Sequence, residues 1–205
     1  MMNDKQTPTH ADDAHETAEI ICGDGYRLHG HFLPRAAGTS AGLPVLISPA
    51  TGVRQHFYLR FARWLAAQGH DVLVFDYRGI GLSLHGSLRD CKATLADWGQ
   101  WCAAGGYARN AVKHQAHRDF HSQVRTPVTV LHAEDDDIAT AGTVADLLST
   151  LPSAPRQVRC LRPHEHGLRR IGHLDWFRQS HQVLWPLMAQ AVRGEHITPD
   201  GRTQG

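Results

Sequence analysis

The stretch Val72-Leu73-Val74-Phe75-Asp76-Tyr77-Arg78-Gly79-Ile80-Gly81-Leu82-Ser83 passes from an unbroken apolar run to an acidic residue and then into a loop with two glycines. A run so short and so apolar, closed by Gly-rich punctuation, reads as a buried strand over Val72 to Asp76. Directly upstream, Phe57, Phe61, Trp64 and Leu65 stand at i, i+4, i+7 and i+8. They mark one face of a helix over Gln55 to Gln68, ended by Gly69. Pro44 to Ser48 is a further short apolar strand ahead of that helix. Strand, helix and strand in this order form a unit whose two strands run parallel.

Outward from this unit, Glu19 to Cys22 and Tyr26 to Leu33 flank Gly23-Asp24-Gly25 and read as a β-hairpin. Downstream, Pro127 to His132 is a strand leading into Glu134-Asp135-Asp136-Asp137. Val144, Leu147, Leu148 and Leu151 follow a helical period, and Gln157 to Leu161 is the last strand. A final helix is expected over Leu174 to Val192, carrying Phe177, Leu184, Leu187 and Met188 and kinked at Pro186. Between the halves, a helix start near Thr94 to Trp98 gives way to Gly99 to Gln123, where Gly105-Gly106 and many His and Arg leave room for one poorly amphipathic helix. The expected organisation is a polar tail over 1–18, one α/β domain over 19–193 and a polar tail over 194–205, with no internal repeat.

The chain has 205 residues, enough for one domain with a substantial core. Hydrophobic residues at 41% and charged ones at 20% argue against disorder, and no apolar stretch is long enough to span a bilayer. A formal charge of +1 supplies no general field for nucleic acid or anionic lipid, so neither is expected as a partner. Cys22, Cys91, Cys102 and Cys160 are widely spaced and form no C-x-x-C pair. Together with a polar start that has neither a basic nor an apolar leader region, they read as reduced thiols in a cytoplasmic protein.

The loop Asp76-Tyr77-Arg78-Gly79-Ile80-Gly81-Leu82-Ser83 resembles the D-x-R-G-x-G-x-S loop after the fourth strand of the α/β-hydrolase superfamily. Ser48-Pro49-Ala50-Thr51-Gly52 stands at the place of that superfamily's oxyanion loop. Ala133-Glu134-Asp135-Asp136-Asp137-Ile138 resembles its acidic turn, and Gly172-His173 its histidine before a helix. The order is similar to that of bacterial hydrolases of the serine aminopeptidase and esterase type, over 20–97 and 124–192. The resemblance implies a reduced α/β-hydrolase fold, a mostly parallel sheet with helices on both faces. It also implies a triad in the order nucleophile, acid, histidine. Asp136 then matches the acid, with Asp135 and Asp137 as alternatives, His173 matches the base, and Thr51 supplies a backbone N–H to an oxyanion.

The nucleophile does not follow. Between Asp76 and Asp136, where the elbow of such a fold falls, there is no G-x-S-x-G, G-x-C-x-G or G-x-D-x-G. After Asp97-Trp98-Gly99-Gln100 the resembled pattern continues with a helix, the elbow strand and a lid, whereas here Trp101 follows directly. The chain resembles a hydrolase lacking a central block near Gln100-Trp101; two βα units of about 30 residues each and a lid would account for its length. Ser83 is the weak substitute as nucleophile, because it already belongs to the loop motif, and Cys91, Cys102 or Asp136 itself are remoter ones.

Sixteen histidines raise the question of a metal. His114, His117 and His121 fall at i, i+3 and i+7, but no Cys or carboxylate completes a ligand set, and His29-Gly30-His31 and His164-Glu165-His166 read as surface positions. No metal and no cofactor is expected, since triad chemistry needs none and no dinucleotide fingerprint occurs. The expectation is a protein derived from a serine hydrolase of small-molecule esters or amides, catalytically impaired for want of the elbow serine. The alternative is a non-catalytic binding module using the residual pocket or an exposed sheet edge. Loss of the central strands further predicts either that the Val128 strand moves beside the Val45 strand or that the open edge drives homo-oligomers.

Overall fold

The computed structural model describes residues 15–85, 99 and 120–197. β1 (Glu16–Ile21) and β2 (Arg27–Leu33) form the expected antiparallel hairpin, with Ile21 opposite Arg27. Its turn closes where Asp24 Oδ1 accepts the Tyr26 N–H at 3.1 Å, and Gly25, at φ 81°, takes the left-handed conformation. β3 (Val45–Ile47) leads through a single 3-10 turn, Gln55–Tyr58, into α1 (Leu59–Ala67), and β4 (Val72–Phe75) follows. The sheet order is β1-β2-β4-β3, with β4 antiparallel to β2 and parallel to β3. A strand flanked on both sides should be apolar throughout, and Val72 and Val74 are 0% exposed. β2 approaches β4 closely enough at Gly30 that a Cβ there would lie 2.6 Å from the Val74 carbonyl oxygen.

The second half is a separate, parallel two-stranded sheet of β5 (Val128–Ala133) and β6 (Arg156–Leu161), joined by α2 (Ala141–Ser149). Thr140 caps α2, its hydroxyl accepting from the Thr143 N–H. α3 (Trp185–Val192) closes the described chain. One core joins Phe61, Leu65, Val72 and Val74 to Trp185 and Ala189 of α3; the other gathers Ala133, Leu161, Ile171 and Leu187. Phe177 and Met188 pack against both, so the C-terminal segment is what staples the two sheets together. The fold is α/β, and no helix among the described residues is long and apolar enough to cross a membrane.

Several expectations are corrected. The pairing is mixed rather than mostly parallel, and β5 does not settle beside β3: among the described residues β3 bonds only to β4, and β5 only to β6. Only three residues of β3 are extended and Leu46 is left 59% exposed, too short an edge to hold a six-residue partner in register. The final helix is three pieces, Asp175–Phe177, Gln179–Leu184 and α3. Pro186 starts α3 instead of kinking a longer helix, because the first turn is where a missing N–H costs nothing. In α2, Val144 and Leu148 are buried but Leu147 is 42% exposed. β1 already begins at Glu16, and Ile197, expected in a polar tail, is 1% exposed within the second core. Thr94 to Trp98, Gln100-Trp101, Gly105-Gly106, Cys91, Cys102, His114 and His117 lie outside the described residues.

Candidate active site

Two loops leave the carboxyl ends of strands, where open α/β sheets place their sites. The first follows β4. Asp76 is 1% exposed, and its carboxylate accepts from the Gln55 N–H at 2.7 Å, the Gln55 side-chain amide at 2.8 Å and the Leu82 N–H at 2.9 Å. Gly81, at φ 50°, sits where a Cβ would fall 2.3 Å from the same carboxylate, so no other residue fits. Ser83 is 0% exposed; its hydroxyl donates to the Asp76 carbonyl at 2.7 Å and accepts from the His29 N–H at 2.8 Å. Arg78 reaches Asp24 at 2.6 Å and lies over the Tyr26 ring at 4.1 Å, while the Tyr26 hydroxyl donates to the Ser83 carbonyl. The loop is a knot tying the hairpin, β4 and the start of α1, and Ser83 is one of its struts. A hydroxyl so buried, with its hydrogen committed to a carbonyl, presents no nucleophile to a substrate.

The second loop follows β5. Asp136, with a side chain 3% exposed, accepts the Ile138 and Ala139 N–H groups at 2.8 Å each, and faces His173 Nδ1 at 3.0 and 3.2 Å. Burial pushes the Asp136 carboxyl up, but the Ala139 N–H, the His173 imidazole and the Ile138 N–H together outweigh it and hold the pKa below its ordinary value. An ionised carboxylate at Nδ1 selects the tautomer with the proton on Nδ1, which leaves the Nε2 lone pair for a reactant. The His173 side chain is 39% exposed, and Nε2 carries no hydrogen bond to a described residue.

His173 is held from behind by Asp135. Its two carboxylate oxygens each accept a backbone N–H, from Ile171 and from Gly172, at 3.0 Å. The Gly172 carbonyl accepts from Trp176 Nε1 at 2.9 Å, and the Trp176 carbonyl from Trp185 Nε1 at 2.9 Å. Gly172, at φ 59°, makes the turn that delivers His173 to Asp136. Of the three adjacent carboxylates, Asp136 therefore meets the imidazole, Asp135 grips its backbone, and Asp137 is exposed and does neither. The adjacency of Asp135 and Asp136 was legible, but their division of labour was not: neighbouring residues in a tight turn point in different directions, and which partner each meets depends on a segment 36 residues away.

Thr51 occupies a turn at the carboxyl end of β3, closed by the Val53 N–H on the Ala50 carbonyl at 3.0 Å, with Gly52 at φ 73°. The Ala50 N–H is taken by the Tyr58 hydroxyl at 2.8 Å, whereas the Thr51 N–H makes no hydrogen bond with a described residue. Burial pushes the Tyr58 phenol up despite that bond, so it stays protonated. No hydrogen bond joins Thr51 or Ser83 to His173. His29 and His31, expected on the surface, are half-buried in β2, and His31 Nδ1 bonds Gln55 Oε1 at 2.9 Å. His164 and Glu165 are exposed. No group of three or more metal-ligating side chains occurs among the described residues.

A G-x-S-x-G string does occur outside the interval expected of it, at Gly38-Thr39-Ser40-Ala41-Gly42. It lies in the exposed loop from β2 to β3, at the amino end of β3, where the Gly42 N–H donates to the Gly69 carbonyl at 2.9 Å. A nucleophile elbow needs a strand before it and a helix after it, and this string has a strand after it.

No family model and no curated protein matches the sequence. Solved structures do. An α/β serine hydrolase without a lid from Xanthomonas campestris aligns at TM-score 0.51 with 16% identity, over 91% of this chain and 98% of that one. An esterase of Pyrococcus furiosus aligns at TM-score 0.52 with 12% identity, over 86% and 88%. Esterase 2 of Thermogutta terrifontis aligns at TM-score 0.52 with 10% identity, over 88% and 94%. At such identities the likeness is one of fold, and the chain has a reduced α/β-hydrolase fold.

Proposed function

We propose that this chain is a hydrolase-fold protein that keeps the acid and base side of ester or amide hydrolysis and lacks the serine that would attack, so that catalysis is impaired. One observation carries the reading: His173 holds Nδ1 against a buried Asp136, while its side chain is 39% exposed and Nε2 bonds to no described residue. Such a pair can take a proton at Nε2 and stabilise the imidazolium that results. In place of a serine, water is the available nucleophile. Nε2 removes a proton as the water oxygen bonds to the substrate carbonyl, forming a tetrahedral oxyanion; as the carbonyl re-forms, the bond to the leaving alcohol or amine breaks and that group takes the proton back. The products are an acid and an alcohol or amine, and the base is regenerated. The Thr51 N–H is the group we assign to the oxyanion.

Intact mass spectrometry after a fluorophosphonate probe, run beside turnover of an activated ester, tests this. The expected result is no covalent adduct and slow turnover that His173→Ala abolishes. A stoichiometric adduct would reveal a recruited serine and overturn the impairment. Turnover unchanged by His173→Ala would remove the dyad from the reaction and leave a non-catalytic binding module, to which the exposed Leu46 on the short edge strand β3 lends support.

A further inference from the structure

The described lining of a cavity of about 1280 Å³ includes none of Thr51, Asp136 and His173. Four guanidinium groups line it, Arg54, Arg60 and Arg63 from the turn before α1 and from α1 itself, and Arg178 from the segment that follows His173. His15, His31 and His56 share the wall. The only carboxylate among its described lining is Asp76, whose oxygens are already occupied by three N–H donors at 2.7 to 2.9 Å. Among the described residues, neither Arg54 nor Arg60 forms an ion pair with a carboxylate, whereas Arg178 is paired with Asp175.

Two of the arginines are held in place. Arg60 is hydrogen-bonded to Gln179, and Arg178 is tied through Nε to Asp175 at 2.5 Å and lies over the Phe57 ring at 5.5 Å, which leaves its two terminal nitrogens as donors. Arg54 is exposed and makes no ion pair with a described residue. In the same wall, the His15 and His31 rings stand with centroids 4.5 Å apart. Guanidinium groups that converge on a concave, partly apolar space match one class of ligand, because their planar forks bond oxyanions bidentately and a cleft lined by one sign of charge concentrates the opposite sign.

We infer that this cavity binds a small multivalent oxyanion, bearing phosphoryl or carboxylate groups, at a site separate from the Asp136–His173 pair. The inference does not rest on the hydrolytic reading. Titration calorimetry of the full chain at neutral pH with pyrophosphate, and separately with citrate, tests it. At least one of the two should bind saturably at one site per chain, with an affinity that falls as salt is raised from ~20 mM to ~300 mM. Arg54→Ala and Arg178→Ala should each weaken binding by about tenfold or more, the loss of a charged hydrogen bond, while leaving the thermal transition cooperative. His173→Ala should bind as the parent does. Binding of pyrophosphate alone assigns the phosphoryl class, and binding of citrate alone the carboxylate class. Failure of both anions to bind the folded chain, unaltered affinity in both arginine variants, or loss of binding in His173→Ala would each overturn the proposal.

Discussion

The loops after β4 and β5 each carry a buried aspartate, at the first and the third position respectively, and they do opposite things with it. After β4, Asp76 spends its oxygens on Gln55 and Leu82, and the conspicuous Ser83 spends its hydroxyl on Asp76 and His29. The Asp76 carboxylate and the Ser83 hydroxyl both close inward on the protein's own groups. After β5, Asp136 accepts from Ile138 and Ala139 and also meets His173, whose far nitrogen bonds to no described residue. A motif that stands out in a sequence can be a structural knot, and the reactive group can belong to a plainer stretch. The lesson is to count donors and acceptors, since a site must end with one polar atom uncommitted.

That contrast can be broken experimentally, beginning with the variant of greatest effect. His173→Ala should lower turnover of an activated ester by about a hundredfold or more, the usual worth of a general base, or to the buffer rate if the parent is slower than that margin allows. Its unfolding free energy from urea melts should fall by less than about 1 kcal/mol, because the ring is partly exposed. Asp76→Ala should instead cost about 3 kcal/mol or more in urea melts, as two buried N–H donors and one part-buried one lose their acceptor, and any turnover lost should track the fraction unfolded. Ser83→Ala should cost about 1–3 kcal/mol and leave turnover per folded molecule unchanged. A larger loss of turnover than of stability would return Ser83 to the chemistry and erase the distinction between the loops.

The smallest effect concerns acid. Asp136 has a folded pKa below its ordinary 3.8, so between the two values the unfolded chain binds more protons. The stability it contributes is complete above its unfolded value and is lost as pH falls through the depressed folded one. Urea midpoints measured from pH ~7 down to ~2.5 should decline less steeply below about pH 4 in Asp136→Asn than in the parent. Equal slopes would mean that Asp136 gains nothing from His173 and its backbone donors in the folded state.

Local pattern carried much of the fold. The apolar run Val72 to Phe75, the Phe61 and Leu65 face of α1, the Gly23-Asp24-Gly25 turn and the β5 and β6 runs all became what their periods imply, because each is a contest between burial and exposure settled within a few residues. The structure brings Asp136 and His173 together, the two residues that the resemblance of their loops implied, and neither composition nor period pointed to that pairing. The segment Leu174 to Val192 misled. Its apolar spacing suits a helix, but Pro186 and the two indole N–H bonds to the Gly172 and Trp176 carbonyls accompany its division into two 3-10 segments and α3, with Phe177 packed against both cores.

What the residues alone settled was composition and period: an α/β chain, its main strands, and a carboxylate and an imidazole of the right chemistry. Folding settled everything that depends on partners far apart along the chain. Ser83 becomes inert because His29 lies 54 residues before it, Asp135 becomes a clamp because Ile171 and Gly172 come to it, and the arginines of α1 converge with Arg178 across the stapled cores. A side chain's type states which bonds it can make. Which of them it does make, and hence what remains free to react or to bind, is decided by long-range packing that local pattern does not encode.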